Sequence, residues 1–189
     1  MADSVYYLPG HGGRLSKGLG EALIGRGFDI CGRETVGEFR ALRFADQVEL
    51  VAEDLRTLCW HPHAHVIANS FGAYLFLHAQ ALLPPFIGKV LLLSPIVGEF
   101  SEEGSSIGFI PPRPDRLLKL AQTGSYPTPM HCEIHVGAQD WQSNPDNVLK
   151  LAALLHLPVT VVPDAGHMLG KEYVGQLLDL WLVKAGGGD

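Results

Sequence analysis

The sequence has few cysteines and no long apolar run, and each shortage excludes a class of protein. Its three cysteines, Cys31, Cys59 and Cys132, are odd in number and widely spaced, so we expect reduced thiols and not a disulfide scaffold. The longest apolar stretches, such as residues 90–93, are far shorter than the roughly 20 residues that a membrane-spanning helix requires. The sequence therefore predicts a protein without a membrane span.

Positive charge is also scarce. The chain has 14 Lys and Arg against 20 Asp and Glu, which gives a net charge of −6. Nucleic-acid-binding proteins concentrate Lys and Arg on one face, so this composition argues against a nucleic-acid partner. The N-terminus lacks the basic segment and apolar core of a secretory signal, and the first predicted strand begins by Val5. We therefore expect a cytoplasmic protein.

Short β-rich runs alternate with helical patterns along the chain. The 189 residues, 47% of them hydrophobic, suit one domain with a substantial core. Alternation of this kind predicts an α/β fold, in which a mostly parallel six-stranded sheet lies between helices on both faces as a three-layer sandwich. The predicted strands are 5–8, 28–32, 65–68, 90–94, 133–136 and 159–162.

Apolar residues at three- and four-residue spacing predict the covering helices. One helix should present to the sheet an apolar stripe made of Val48, Val51, Ala52, Leu55 and Leu58. Another should begin at Asn144 and bury Leu149, Ala152, Ala153 and Leu155. A last helix is predicted near 172–184, so we expect a folded domain over 1–184 and a flexible tail over 185–189.

Residues 96–129 interrupt the alternation with prolines, glycines and serines. Within them, one short helical pattern is predicted over 116–121. Long irregular connections usually carry function or mobility. This one is too short for a full cap domain, so we expect an open site between it and the loop that contains Gly12 and Gly13.

Ser70 stands in the sequence Ala68-Asn69-Ser70-Phe71-Gly72, between a predicted strand and a predicted helix. This position is typical of a nucleophile elbow, G-x-S-x-G, whose turn is so sharp that large residues two positions on either side collide with the backbone. Ala68 replaces the first glycine and adds only one methyl group. The window alone fits an ordinary strand-to-helix connection equally well.

Two later strand ends supply the groups that a catalytic serine requires. A serine hydroxyl is a poor nucleophile near neutral pH, so it needs a histidine to take its proton and a carboxylate to orient that histidine. His167 follows the last predicted strand, and Asp140 follows the one before it. Ligands bind beyond the carboxyl ends of parallel strands, where Ser70, Asp140 and His167 are all expected.

The order Ser70, Asp140, His167 resembles that of the α/β-hydrolase superfamily, and the resemblance covers nearly the whole chain. The matching segments are 11–13, 68–72, 137–140 and 166–167. In size the chain looks most like the small lidless serine hydrolases related to retinoblastoma-binding serine hydrolase. The resemblance implies a compact fold without a full cap domain, Ser70 as nucleophile, His167 as general base and acid, and Asp140 as the orienting carboxylate. It implies no metal or organic cofactor.

The oxyanion formed by serine attack requires hydrogen-bond donors that already point at it. The amide of Phe71, the residue after the nucleophile, is one expected donor, since it begins a helix. The second is expected from Gly12 or Gly13, although these glycines also fit a simple flexible turn.

Other residues compete for parts of this site. Asp146 and Asp164 are alternatives to Asp140, but Asp146 suits a helix start and Asp164 lies only three residues before His167. Ser94 also ends a strand, yet it lacks the small-residue elbow, so its hydroxyl is expected to be structural.

His61, His63 and His65 alternate on an extended segment, where imidazoles point the same way and can share a metal. They precede their strand, however, at the end of the sheet opposite the expected pocket. A structural role is therefore favoured over a metal site.

The leading hypothesis is a serine hydrolase that cleaves a small or accessible carboxylic ester, or a thioester or amide, through an acyl-serine intermediate. Its partner would be a small ester-like molecule. The alternative is a noncatalytic binding or interaction protein on the same scaffold, because a fold alone does not establish activity. Ala68 and the lack of a recognisable substrate signature favour the alternative.

Overall fold

Six strands form one parallel sheet, and the direction in which successive strands are added reverses after the second strand of the chain. The computed structural model describes residues 4–101 and 106–182. Its strands are β1 (Ser4–Leu8), β2 (Asp29–Gly32), β3 (His65–Asn69), β4 (Lys89–Leu93), β5 (Phe100–Ser101), β6 (Gly108–Phe109), β7 (His131–Gly137) and β8 (Val159–Val162). Six of them lie in the order β2-β1-β3-β4-β7-β8, all in parallel, while β5 and β6 form a separate antiparallel pair. Each predicted strand overlaps one strand of this sheet.

Helices cover both faces of the sheet because successive strand residues point to opposite sides. The described helices are α1 (Leu19–Ile24), α2 (Gly37–Ala41), α3 (Phe44–Leu58), α4 (Phe71–Gln80), α5 (Arg116–Gln122), α6 (Pro145–Leu155) and α7 (Lys171–Trp181). On β1, Tyr6 and Leu8 pack in a core with residues of α3 to α6, whereas Val5 and Tyr7 pack with residues of α1 and α7. The predicted α/β three-layer sandwich, a single compact domain, is confirmed.

The apolar stripes of α3 and α6 differ slightly from those predicted. On α3, Leu58 is 54% exposed because the helix ends there and the next residue, Cys59, takes the buried position. The predictions for Leu149 and Ala153 are also wrong, since both lie outside the buried stripe of α6. That stripe starts one residue earlier and follows helical spacing through Val148, Leu151, Ala152 and Leu155.

The connection between β4 and β7 contains the β5–β6 pair and α5. The helix predicted over 116–121 is present as α5, and its Leu117 and Ala121 are buried in the core. Helix α5 is therefore part of the packed domain and not a lid.

The helix predicted near 172–184 is present as α7. The domain boundary expected at residue 184 and the tail expected over 185–189 lie outside the described residues. Among the described helices, none has the combination of length and apolarity that crossing a bilayer requires.

Candidate active site

Ser70 lies on a strained turn between β3 and α4. Its backbone has φ 53° and ψ −118°, a conformation that residues other than glycine rarely adopt. Neighbouring chain holds the turn on both sides. The Ser70 amide donates to the Leu93 carbonyl at 2.9 Å, and the Ile96 amide donates to the Ser70 carbonyl at 3.3 Å. These contacts fix Ser70 at the carboxyl edge of the sheet.

The turn brings α4 close to the end of β1, and this approach requires a small residue. A side chain on Gly72 would collide with the carbonyl oxygens of Leu8 and Pro9. Ala68, where the motif has its first glycine, is fully buried in the core. The turn around Ser70 thus has the steric features of a nucleophile elbow with alanine in place of one glycine.

His167 reaches Ser70 from the loop between β8 and α7. Its Nε2 lies 2.8 Å from Ser70 Oγ, and its Nδ1 lies 3.0 Å from each carboxylate oxygen of Asp140. An ionised carboxylate only accepts hydrogen bonds, so Nδ1 is assigned the proton and Nε2 is left to accept from the Ser70 hydroxyl. The structure brings together the three side chains expected from the sequence.

Asp140 is buried, with 2% of its surface exposed, and hydrogen bonds satisfy its oxygens. Besides the His167 imidazole, it accepts from the backbone amides of Gln142 at 3.0 Å and Ser143 at 2.8 Å. The Ser143 hydroxyl in turn donates to the Ser94 carbonyl at 2.6 Å. The loop that carries Asp140 is thereby tied to the end of β4, beside the turn that carries Ser70. Nothing in the sequence distinguishes Ser143 from the other serines.

The loops that carry the carboxylate and the imidazole also contact each other through their backbones. The Gln139 amide donates to the Ala165 carbonyl at 2.8 Å. A side chain on Gly137, at the end of β7, would collide with the carbonyl oxygens of Ala165 and Gly166. Gly137 therefore allows the two loops to approach closely enough for their side chains to meet.

The loop after β1 borders the site, but its two predicted donors are already used. The Gly12 amide donates to the Thr35 carbonyl at 3.2 Å. The Gly13 amide donates to the Gly10 carbonyl at 2.9 Å and to Thr35 Oγ1 at 2.9 Å. This geometry counts against Gly12 and Gly13 as oxyanion donors, and the sequence cannot reveal it because Thr35 follows much later in the chain. The His11 amide hydrogen-bonds to none of the described residues.

His11 and Phe71 lie side by side at this edge of the sheet. Their rings meet edge-on with centroids 5.5 Å apart. Phe71 is the first residue of α4, so its amide has no acceptor within the helix. Burial, and secondly the positive charge of Arg40, lower the pKa of the His11 imidazole, which favours its neutral form.

An open cleft of about 960 Å³ begins at Ser70 and His167 and extends between α1 and α7. Most of its described lining comes from the loop after β1, from α1, from the loop that carries His167 and from α7. None of it comes from the described residues of the 96–129 connection, which was expected to border the site. From that connection, Pro112 lines a smaller cavity of about 150 Å³ next to His11 and Phe71. The prediction of an open site fits this cleft, but the prediction of its borders is wrong on one side.

The alternatives to Asp140 and Ser70 do not hydrogen-bond to His167 in the described part of the chain. Asp146 is in the first turn of α6, where the Asn144 side chain caps the helix, and Asp164 is exposed. The structural role expected of the Ser94 hydroxyl stays a prediction. That hydroxyl is buried without a hydrogen-bond partner among the described residues, and the Ser94 backbone makes the contacts instead.

The alternating histidines lie at the amino end of β3, away from Ser70. His61 and His63 are exposed in the preceding loop, and the His65 ring contacts Trp181. Within residues 4–101 and 106–182, no group of three or more His, Cys, Asp or Glu side chains is placed to hold a metal ion.

Comparison with known proteins finds similarity in structure and not in sequence. No protein-family model and no curated protein sequence matches the chain. Among solved structures, the ydeN gene product of Bacillus subtilis is 14% identical, with a TM-score of 0.64 over 95% of this chain and 98% of that one. The carboxylesterase CesB of B. subtilis is 16% identical, with a TM-score of 0.65 over 96% and 84% of the two chains.

A peroxisomal α/β-hydrolase of Saccharomyces cerevisiae is 14% identical, with a TM-score of 0.58 over 95% of this chain and 75% of that one. The similarity in each case extends along almost the whole of this chain. The chain therefore has the fold of the α/β-hydrolase superfamily.

Proposed function

We propose that the chain is a serine hydrolase that cleaves carboxylic esters, or thioesters or amides, through an acyl-serine intermediate. The observation that supports this most strongly is the continuous hydrogen-bonded series from Ser70 through His167 to Asp140. It ends in an open cleft that a small substrate can enter. The carboxylesterase activity named for CesB agrees with the proposal.

The proposed reaction begins when His167 Nε2 takes the Ser70 proton as Oγ attacks the substrate carbonyl. Asp140 holds the imidazole in the required tautomer and stabilises the imidazolium that forms. The tetrahedral intermediate collapses as His167 gives the proton to the leaving group, an alcohol in the case of an ester. Water then attacks the acyl-serine while His167 takes one of its protons. The second tetrahedral intermediate collapses as His167 returns this proton to Ser70 Oγ, which frees the acid and restores the Ser70 hydroxyl.

The proposed oxyanion donors are the backbone amides of Phe71 and His11. Both belong to residues that border the site, and neither amide is used by another described group. The sequence signal was the loop itself, since His11 begins the segment 11–13 of the family resemblance. Replacing His11 with proline removes the amide, and we expect kcat to fall roughly 10²–10³-fold. His11→Ala keeps the amide and measures the contribution of the ring.

A fluorophosphonate probe tests the nucleophile directly. The purified protein should be labelled on Ser70, and Ser70→Ala should not be labelled. Ser94→Ala is the matched control. Ser94 also follows a strand and also has a positive φ, of 42°, but its buried hydroxyl has no hydrogen-bond partner among the described residues. Labelling of Ser94→Ala should persist.

A short-chain nitrophenyl ester distinguishes catalysis from a noncatalytic binding protein. Turnover that both Ser70→Ala and His167→Ala abolish supports the proposal. A folded protein that neither reacts with the probe nor turns over the ester would contradict it, and a noncatalytic role on the hydrolase scaffold would then be favoured.

A further inference from the structure

The cleft beside Ser70 carries positive charge although the whole chain is acidic. The net charge of the protein is −6. Nevertheless Arg14, Lys17, Arg26 and Lys171 line this cleft. Among its described lining residues the one carboxylate is that of Glu21.

Two of these cations are already paired. Arg26 donates to the Ala22 carbonyl of α1 at 2.9 Å and, on α7, to Asp179 Oδ1 at 2.7 Å and the Gly175 carbonyl at 3.0 Å, and so joins the two helices. Arg14 lies 3.4 Å from Glu34 in an exposed pair. Their charge is largely compensated within the protein.

Lys17 and Lys171 are exposed, and neither forms an ion pair with a described residue. Lys171 is also the first residue of α7, where the helix dipole adds positive potential. Like charges facing one cleft raise the local concentration of an anion there. The two lysines are thus available to a ligand of opposite charge.

The same cleft has an apolar interior. Tyr7, Leu93 and Leu178, which belong to the core between the sheet and α7, contribute to its lining, as does Leu169. His167 and the highly exposed Met168 also line this cleft. Because His167 delivers the proton to the leaving group, that part of the substrate must leave on the His167 side.

We propose that this cleft binds the leaving group of the substrate, and that this group has an apolar body carrying a carboxylate or another anionic oxygen group. The anion is held by Lys17 and Lys171, and the body lies on the apolar lining. This inference rests on the proposed hydrolase function and specifies its substrate class.

Fluorogenic acetate esters that differ only in leaving-group charge test the inference. One probe is the acetate ester of 7-hydroxycoumarin-4-acetic acid, and the other is the acetate ester of its primary amide. We expect kcat/KM to be roughly fivefold higher for the acid, as two exposed ion pairs would give. The ratio should approach one in about 1 M salt, because salt screens exposed charges.

Lysine variants assign the effect to the cleft. The double variant Lys17→Ala, Lys171→Ala should bring the ratio near one, and Lys17→Glu, Lys171→Glu should reverse the preference. Lys150→Glu is the matched control, since Lys150 is exposed on α6 and does not line the cleft. It should keep the preference of the unmodified protein.

Two esters of 7-hydroxycoumarin with different acyl groups complete the test. The hemisuccinate places the charge on the acyl side, and the pentanoate is its neutral counterpart. If the protein preferred the hemisuccinate to the pentanoate but did not prefer the coumarin-acetic acid ester to its amide, the cleft would bind the acyl group, and the assignment to the leaving group would be overturned. Equal rates on the coumarin-acetic acid and amide esters, with normal labelling of Ser70, would overturn the inference and leave the hydrolase proposal intact. Failure of Ser70 to react with the fluorophosphonate would remove both.

Discussion

Two buried aspartates of this protein each belong to a three-residue cluster, but the clusters differ in what the carboxylate contacts. Asp54 on α3 accepts from the Tyr6 hydroxyl at 2.8 Å and from two nitrogens of Arg33 at 2.6 Å each. Asp140 accepts from an imidazole, and that imidazole contacts the hydroxyl of Ser70.

The difference decides what happens to the hydroxyl proton. Burial, and secondly the charge of Asp54, raise the pKa of Tyr6 far above its ordinary value, so that this hydroxyl keeps its proton. In the other cluster a proton acceptor lies between the carboxylate and the hydroxyl, and the series ends at an open cleft. A buried carboxylate thus stabilises a fold when it contacts a hydroxyl directly, and can support proton transfer when an imidazole intervenes.

The sharpest test of this comparison is Asp140→Asn. We expect kcat for a short-chain ester to fall about 10⁴-fold, because an amide that donates to the imidazole favours the wrong tautomer. Thermal unfolding should show that the variant is folded. Retention of activity within tenfold of the unmodified protein would contradict the role proposed for Asp140.

The corresponding change in the other cluster, Asp54→Asn, should affect stability instead of chemistry. The free energy of unfolding should fall by roughly 2–3 kcal/mol, less than for a fully buried pair because the Arg33 side chain is 35% exposed. Urea denaturation measures this loss. Tyr6→Phe keeps the pair between Asp54 and Arg33 and should lose only about 1 kcal/mol. The loss of kcat in Asp54→Asn can be converted to a free energy. If it exceeded the loss of unfolding free energy, the structural role assigned to Asp54 would be contradicted.

Gly137→Ala tests whether the approach of two loops creates the His167 contacts. The added methyl group would meet the carbonyls of Ala165 and Gly166 and displace the imidazole. Small displacements of a catalytic group cost on the order of 10²-fold in rate, which we expect in kcat and in the rate of fluorophosphonate labelling. Gly170→Ala is the control, since a methyl group there meets open space. Equal effects of both substitutions would contradict the role of Gly137.

His78 provides a buried polar group outside both clusters. Its Nε2 has no hydrogen-bond partner among the described residues, and its ring packs against Phe44 and Tyr74. Burial, and secondly the charges of Arg116 and Arg113, lower its pKa to about 3. In the unfolded chain the value is about 6.5.

Between these two values the unfolded chain binds a proton that the folded protein does not. The free energy of unfolding should therefore fall as the pH falls below about 6.5, by at most about 1.4 kcal/mol per pH unit from this residue. His78→Leu should weaken this dependence in urea denaturation between about pH 4 and 7.5. Parallel curves for the two proteins would show that His78 does not contribute.

The sequence was sufficient to predict the sheet and the three side chains at its carboxyl edge. Each strand is a short β-rich run, and Ser70, Asp140 and His167 each follow such a run closely. Their meeting follows from the topology, because parallel strands end at one edge. Ala68 departs from the first glycine of the motif, but the close approach of α4 to the end of β1 depends on Gly72, which matches the motif.

Features that depend on contacts distant in the chain were not predictable. Gly12 and Gly13 looked like suitable donors, but Thr35 uses their amides. The positive cleft is likewise invisible in a chain with few cations, because Lys17 and Lys171 become neighbours of one cavity only after folding. The predicted buried stripe of α6 began at Leu149, one residue later than the observed stripe, so Leu149 lies outside it.

The backbone of Ser70 also bears on how this protein responds to selection for heat resistance. Glycine adopts φ near 53° without the strain that serine bears there, which is of order 1–3 kcal/mol. The residue best for stability at this position is thus not the residue that the proposed chemistry requires. A screen of random variants for thermal resistance alone would reward Ser70→Gly and thereby remove the proposed nucleophile.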